Sequence, residues 1–176
     1  MSTDPEPRDT VSTTSKLKAY LLCYVPSPLF PCHWSLWIPF NGQSGPGMRI
    51  HVTGDARNGF QHDIERAYDP KQDDRHPKVI ELGNINTSSL PGKEPVCFVI
   101  SGVSDETLVA CSALEYLSLT IPAPGPSLKS SSTTGGRLRV KIQNCQTWLR
   151  QLVDSMIDKG VIGAEARHIV DQAPQH

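Results

Sequence analysis

No stretch of this 176-residue chain approaches the roughly 18 apolar residues of a membrane-spanning helix, and no basic segment leading into an apolar core opens it. The expectation is a soluble, cytoplasmic protein with no transmembrane segment. Charge of one sign is also missing, with 17 Lys+Arg against 18 Asp+Glu and a formal charge of -1. A balanced chain lacks the positive surface that holds phosphate backbones or anionic lipid, so nucleic acid is not an expected partner. The five cysteines are odd in number and show no CxxC spacing, which argues against a disulfide framework and against a zinc ribbon. Reduced thiols follow. A length of 176 residues implies one domain.

Residues 1–15 are polar, carry two prolines and have no apolar periodicity, so they read as a disordered tail ahead of a single domain at 16–172. Strand patterns occur at 16–25, 33–38, 48–53, 60–68, 78–82 and 96–100, with a turn-rich segment between the second and third that predicts a hairpin. A helix is predicted from Ser104, with Leu108, Val109, Leu114 and Leu117 at helical spacing. The stretch 121–136, IPAPGPSLKSSSTTGG, is too polar to pack and too long for an ordinary connection, and is expected to be a flexible loop. A strand at 138–142 and helices at 145–159 and 164–172 complete the chain, the first of these helices stopping at Gly160.

Two short pieces carry chemistry. His33-Trp34-Ser35-Leu36-Trp37 sets an imidazole at the start of an alternating strand. Asn144-Cys145-Gln146-Thr147-Trp148 sets a thiol in the first turn of an amphipathic helix, where the macrodipole favours thiolate. If the hairpin pairs symmetrically about Gly42, His33 and His51 lie opposite each other and share a face with Ser35, Trp37, Arg49 and Thr53. Trp34, Leu36, Ile38, Ile50 and Val52 then supply the core-building face. On the helix, Trp148, Leu149, Leu152, Val153, Met156 and Ile157 form one stripe that Cys145 extends. A helix packed on the histidine face would bring Cys145 to the base. Cys23, Cys97 and Cys111 sit in apolar runs where burial explains them, and Cys32 points away from its neighbour His33. Zinc held by Cys32, His33 and His51 lacks the usual paired ligand spacing, so no metal is expected.

This order of motifs resembles the permuted papain-like, or lecithin retinol acyltransferase-like, thiol enzymes. In those, a histidine opens a strand as H-W-x-L/I-x, a second histidine follows on the next strand, and a late N-C motif opens a helix. The resemblance spans residues 17–160. It implies an α+β fold, a circularly permuted papain-like domain with an antiparallel sheet and helices packed on one side, and no cofactor. It also implies Cys145 as nucleophile, His33 as general base, His51 as the orienting group, and an acyl-thioester intermediate whose oxyanion is held partly by the Cys145 N–H. Lipid-acting members carry N-C-E-H-F and a hydrophobic anchor, whereas this chain has Asn144-Cys145-Gln146-Thr147-Trp148 and ends DQAPQH. The PPPDE isopeptidases share the order and the N-C motif. With no arginine just ahead of His33, Tyr24 is the residue left to consider as second oxyanion donor.

The reading is a cysteine-dependent acyltransferase or hydrolase acting on an acyl, amide or peptide substrate. Two alternatives stand beside it: an isopeptidase or cysteine peptidase of the same fold, and a noncatalytic binding module. In the last, Cys145 is a buried helix cysteine and both histidines are structural.

Overall fold

The computed structural model describes residues 17–25, 30–40, 44–86, 89, 112–127 and 143–176. Five strands come first: β1 (Lys18–Tyr24), β2 (His33–Pro39), β3 (Gly47–Asp55), β4 (Gly59–Tyr68) and β5 (Lys78–Asn84). Three helices follow, α1 (Ala113–Leu119), α2 (Cys145–Asp158) and α3 (Glu165–Gln172). Each neighbouring strand pair is antiparallel, in the order β4-β3-β2-β1-β5. The fold class is α+β. The tail at 1–15 and the strands expected at 96–100 and 138–142 lie outside the described residues.

Period-two alternation divides the sheet into two different faces. Ala19, Leu21 and Cys23 of β1, Cys32, Trp34, Leu36 and Ile38 of β2, and Ile50 and Val52 of β3 form the first, and all three helices bury their apolar stripes on it. From α2 come Trp148, Leu149, Leu152, Val153 and Met156, each no more than 1% exposed. Burying that stripe against the apolar face removes both surfaces from water, which fixes the helix layer on this side. No described helix is long and apolar enough to cross a membrane.

The helix expected from Ser104 starts at Ala113 in the described chain, where the Ser112 hydroxyl accepts from the Glu115 N–H at 3.1 Å and ends the helix there. Leu114 and Leu117 are buried as the periodicity requires, and Leu108 and Val109 lie outside the described residues. Part of the expected flexible loop is held in place. The Pro124 carbonyl accepts from Phe60 N–H at 2.8 Å, Ser127 N–H donates to Ala56 O at 2.8 Å, and Ile121 O accepts from Trp148 Nε1 at 3.1 Å. Two main-chain bonds and one from an indole dock 121–127 on β4, the β3–β4 turn and α2 in spite of its polar composition, while 128–136 lies outside the described residues.

The second face is polar and aromatic, with Tyr20, Leu22, Tyr24, Trp37 and Tyr68 buried beside Ser35, Arg49 and His51. Successive antiparallel pairings leave β4 and β5 running the same way at opposite edges. Their connection, residues 69–77, therefore has to cross the sheet, and it does so over this face. Arg75 lies 4.5 Å from the Tyr24 ring, and Asp73 accepts from the Tyr68 hydroxyl at 2.7 Å. A segment that reads in sequence as a solvated loop is a strap, because Asp73 supplies the acceptor that buried tyrosine and arginine need.

Candidate functional site

The hairpin register differs from the symmetric expectation by two residues. Leu36 pairs with Ile50 and Trp37 with Arg49, so continuing the ladder sets His51 against Ser35 rather than His33. A shift of two preserves parity, and the two imidazoles remain diagonal neighbours on one face. His33 Nε2 and His51 Nδ1 are 2.8 Å apart, with the rings edge-to-face. His33 also packs on the Tyr24 ring at 5.7 Å.

Arg49 sets the polarity of that pair. A guanidinium only donates, so its Nη2, 2.9 Å from His51 Nε2, makes that nitrogen the acceptor. His51 then carries its proton on Nδ1 and donates to His33 Nε2, leaving His33 with an Nδ1–H. Asp63, 3.3 Å from His51 Nε2, offers the opposite polarity once Arg49 turns fully to Glu65 at 3.2 Å and Asp73 at 3.8 Å. In that arrangement His33 Nδ1 holds a lone pair and can act as a base. Burial first, and the Arg49 charge second, push His33 down to about 4 and His51 to about 2, so both rings are neutral at pH 7.

Ligand atoms of His51, Asp63 and Glu65 lie within 4.8 Å of one another, as three metal ligands would. The Arg49 guanidinium lies between them and fills that space with positive charge. The zinc set Cys32, His33 and His51 does not converge, since Cys32 is in the helix-side core and both rings are on the other face.

Asn144 caps α2, its side chain accepting from the N–H groups of Gln146 and Thr147 at 3.0 and 3.1 Å, and this fixes the turn that carries Cys145. Asn144→Ala should cost about 1 kcal/mol of stability, read as a lower urea midpoint with unchanged slope.

The thiol is on the helix side of the sheet, which corrects the expected packing of α2 on the histidine face: the stripe of α2 matches the Trp34 face in polarity and the histidine face does not. Cys145 Sγ lies 3.9 Å from the Cys32 carbonyl, and the hydrogen bonds described for it include neither imidazole. It is nonetheless set against the main chain beside His33, through the Cys32 carbonyl, and the Trp34 main chain is the largest of the influences that oppose burial at the thiol. Burial pushes the thiol up from its ordinary value, and main-chain hydrogen bonding, that of Trp34 first, works against the rise.

Tyr24 is not a free oxyanion donor. Its hydroxyl is 2.7 Å from that of Tyr68, whose own proton goes to Asp73, so Tyr24 donates to Tyr68. Sequence reasoning passed over the roles of Arg49, Asp73 and Gln146. Arg49 had a legible signal, an arginine two residues from His51 on a strand, which must share its face. Gln146 is 95% buried, and its amide donates to Cys32 O at 2.9 Å and Gln175 O at 3.0 Å, contacts that no local pattern announces.

Residues 19–163 match a family of unknown function, DUF6540. The chain belongs to that family. The match begins one residue into β1, contains β2 to β5, both histidines and the whole of α2, and stops before α3. No curated protein and no solved structure matches the chain.

Proposed function

We propose that this family member is a cysteine-dependent acyltransferase or hydrolase of the permuted papain-like kind, acting in the cytoplasm on an amide, ester or thioester. The observation that carries the reading is the placement of the Cys145 thiol, at the start of α2, against Cys32 and Trp34, the two residues that flank a histidine already bonded to a second histidine. Cys23, Cys32 and Cys145 are free thiols, as this chemistry requires of its nucleophile.

The thiol and the two imidazoles stand on opposite faces of the sheet, so in this reading the His33 ring has to turn about the start of β2 to the helix side before it takes the Cys145 proton and the thiolate attacks the carbonyl carbon. The Cys145 N–H, in the first turn of α2, supports the developing oxyanion. Collapse breaks the bond to the leaving group, which takes the proton from His33, and leaves an S-acyl enzyme. Water or an amine then attacks the thioester, gives up a proton to His33 and regenerates the thiol. The isopeptidase form of the reading gains one observation: an extended segment of main chain, Pro174 and Gln175, lies along Gln146 and Cys32 beside the thiol.

The test is the rate of iodoacetamide alkylation at each cysteine against pH, in wild type and His33→Ala. Cys145 should react well before Cys23, whose thiol burial pushes up to about 12, and His33→Ala should slow Cys145 by about tenfold or more. Equal inertness of Cys145 and Cys23 in both proteins would sink the enzyme reading and leave a noncatalytic binding module.

A further inference from the structure

The segment after α3 is gripped through its main chain. Trp34 Nε1 donates to Pro174 O at 2.8 Å, and Gln175 O accepts both Cys32 N–H at 2.9 Å and Gln146 Nε2 at 3.0 Å. Trp34 belongs to the helix-side core and Gln146 Nε2 also donates to Cys32 O at 2.9 Å, so each side-chain donor is held by contacts besides those to the segment. Pro174 is half-buried, while Gln175 and His176 are exposed on their outer side. The surface beneath is built and its occupant lies on top.

The chemistry of that surface selects its ligand. It presents three donors to two successive carbonyls. Its nearest acceptor, Cys32 O, is already taken by Gln146 Nε2 at 2.9 Å and faces the Cys145 thiol at 3.9 Å. A residue with no N–H to satisfy suits such a donor-only surface, and proline stands where the Trp34 bond is made. The donors Cys32, Trp34 and Gln146 lie inside the span shared with the family, and Pro174 and Gln175 lie outside it.

We infer that Cys32, Trp34 and Gln146 form a docking cradle for an extended, proline-containing peptide, which the chain's own Pro174–Gln175 fills in cis. The inference deepens the thiol reading by naming the class of chain presented next to Cys145, although the cradle's hydrogen bonds do not depend on that thiol reacting. Filled, the cradle blocks the approach to Cys145 from this side. Emptied, it offers the same bonds to a peptide in trans.

A labelled synthetic peptide of the sequence DQAPQH is the probe, followed by fluorescence anisotropy. A chain shortened to end at Ala173 should bind it saturably, and at least about tenfold more tightly than the full chain does, since the cis segment no longer competes. Gln146→Ala in the shortened chain should weaken binding about tenfold, and Trp34→Phe, which keeps an aromatic side chain in the core but removes the indole N–H, should do the same. Equal binding by full and shortened chains, or none by a shortened chain that still unfolds cooperatively, overturns the cradle. If the shortened chain does not fold, carboxypeptidase digestion of the full chain decides. Gln146→Ala should speed release of residues 175–176 at least about tenfold, and an unchanged rate overturns the proposal. Cys145 alkylation is followed in the same samples. Peptide binding with an inert Cys145 keeps the cradle and rejects the thiol enzyme, whereas a reactive Cys145 with no peptide binding does the reverse.

Discussion

At about pH 4.5 the protein is expected to unfold at a much lower urea concentration than at pH 7.5, and the histidine pair is the reason. Burial, with Arg49 adding to it, lowers His33 from 6.5 to about 4 and His51 to about 2. Both folded values lie below the unfolded one, so the unfolded chain binds protons that the folded chain refuses. The stability of the neutral pair is complete above about pH 6.5 and is lost as pH falls toward the folded values, on the order of 3 kcal/mol for each ring by pH 4. Replacing both rings, as His33→Gln with His51→Gln, should flatten the dependence of the urea midpoint on pH between about 6.5 and 4. An unchanged slope would mean that the rings are not buried neutral and that the relay geometry is wrong. Asp73 acts in a separate window. Its bond to Arg75 holds its carboxyl well below the ordinary 3.8, so its contribution is present above that value and fades only in stronger acid.

Asp73→Ala should destabilise the fold by about 2–3 kcal/mol, because the buried Tyr68 hydroxyl loses its acceptor and Arg49 part of its countercharge, while the half-exposed Arg75 is free to turn to water. Asp73 is 8% exposed and accepts from the Tyr68 hydroxyl at 2.7 Å and from Arg75 Nε and Nη2 at 2.8 and 2.6 Å. It also faces Arg49, itself 4% exposed in its side chain, at 3.8 Å. Removing it leaves two guanidinium groups against the aromatic face with less countercharge, and it unpins the strap from β4. Trypsin should then cleave at Lys71 and Arg75 under native conditions much faster than in wild type, and Asp73→Asn, which still accepts from Tyr68, should fall between the two. Wild-type cleavage rates in Asp73→Ala would show that the strap is held by something else.

The strap also shows how composition misleads. Residues 69–77 are charged and turn-rich, and local pattern gives them to solvent. Residues 71, 72 and 74–76 are indeed exposed, and what the pattern does not give is the path across the sheet, which follows from the strand order, since an edge-to-edge connection between strands of the same direction has to lie on a face of the sheet. The docked part of the 121–136 loop makes the same point through Pro124 and Ser127, whose main-chain bonds to β4 and to the β3–β4 turn no propensity encodes.

What the sequence determined by itself is what a period determines. Alternation put His33 and His51 on one face and Trp34, Leu36, Ile38, Ile50 and Val52 on the other, and this held through a two-residue error in register because parity survives an even shift. Helical spacing and the Asn144 cap fixed α2, its stripe and its start at Cys145 in the same local way. Tertiary structure decided which face receives the helices, and so on which side of the sheet the thiol stands. It also decided that Arg49 polarises the histidine pair, and that a segment beyond α3 returns to lie on Cys32, Trp34 and Gln146. The physical reason is that periodicity reports only the nearest neighbours along the chain. Burial and charge pairing are settled by segments far apart in sequence, which meet where apolar area and unsatisfied donors are both accommodated.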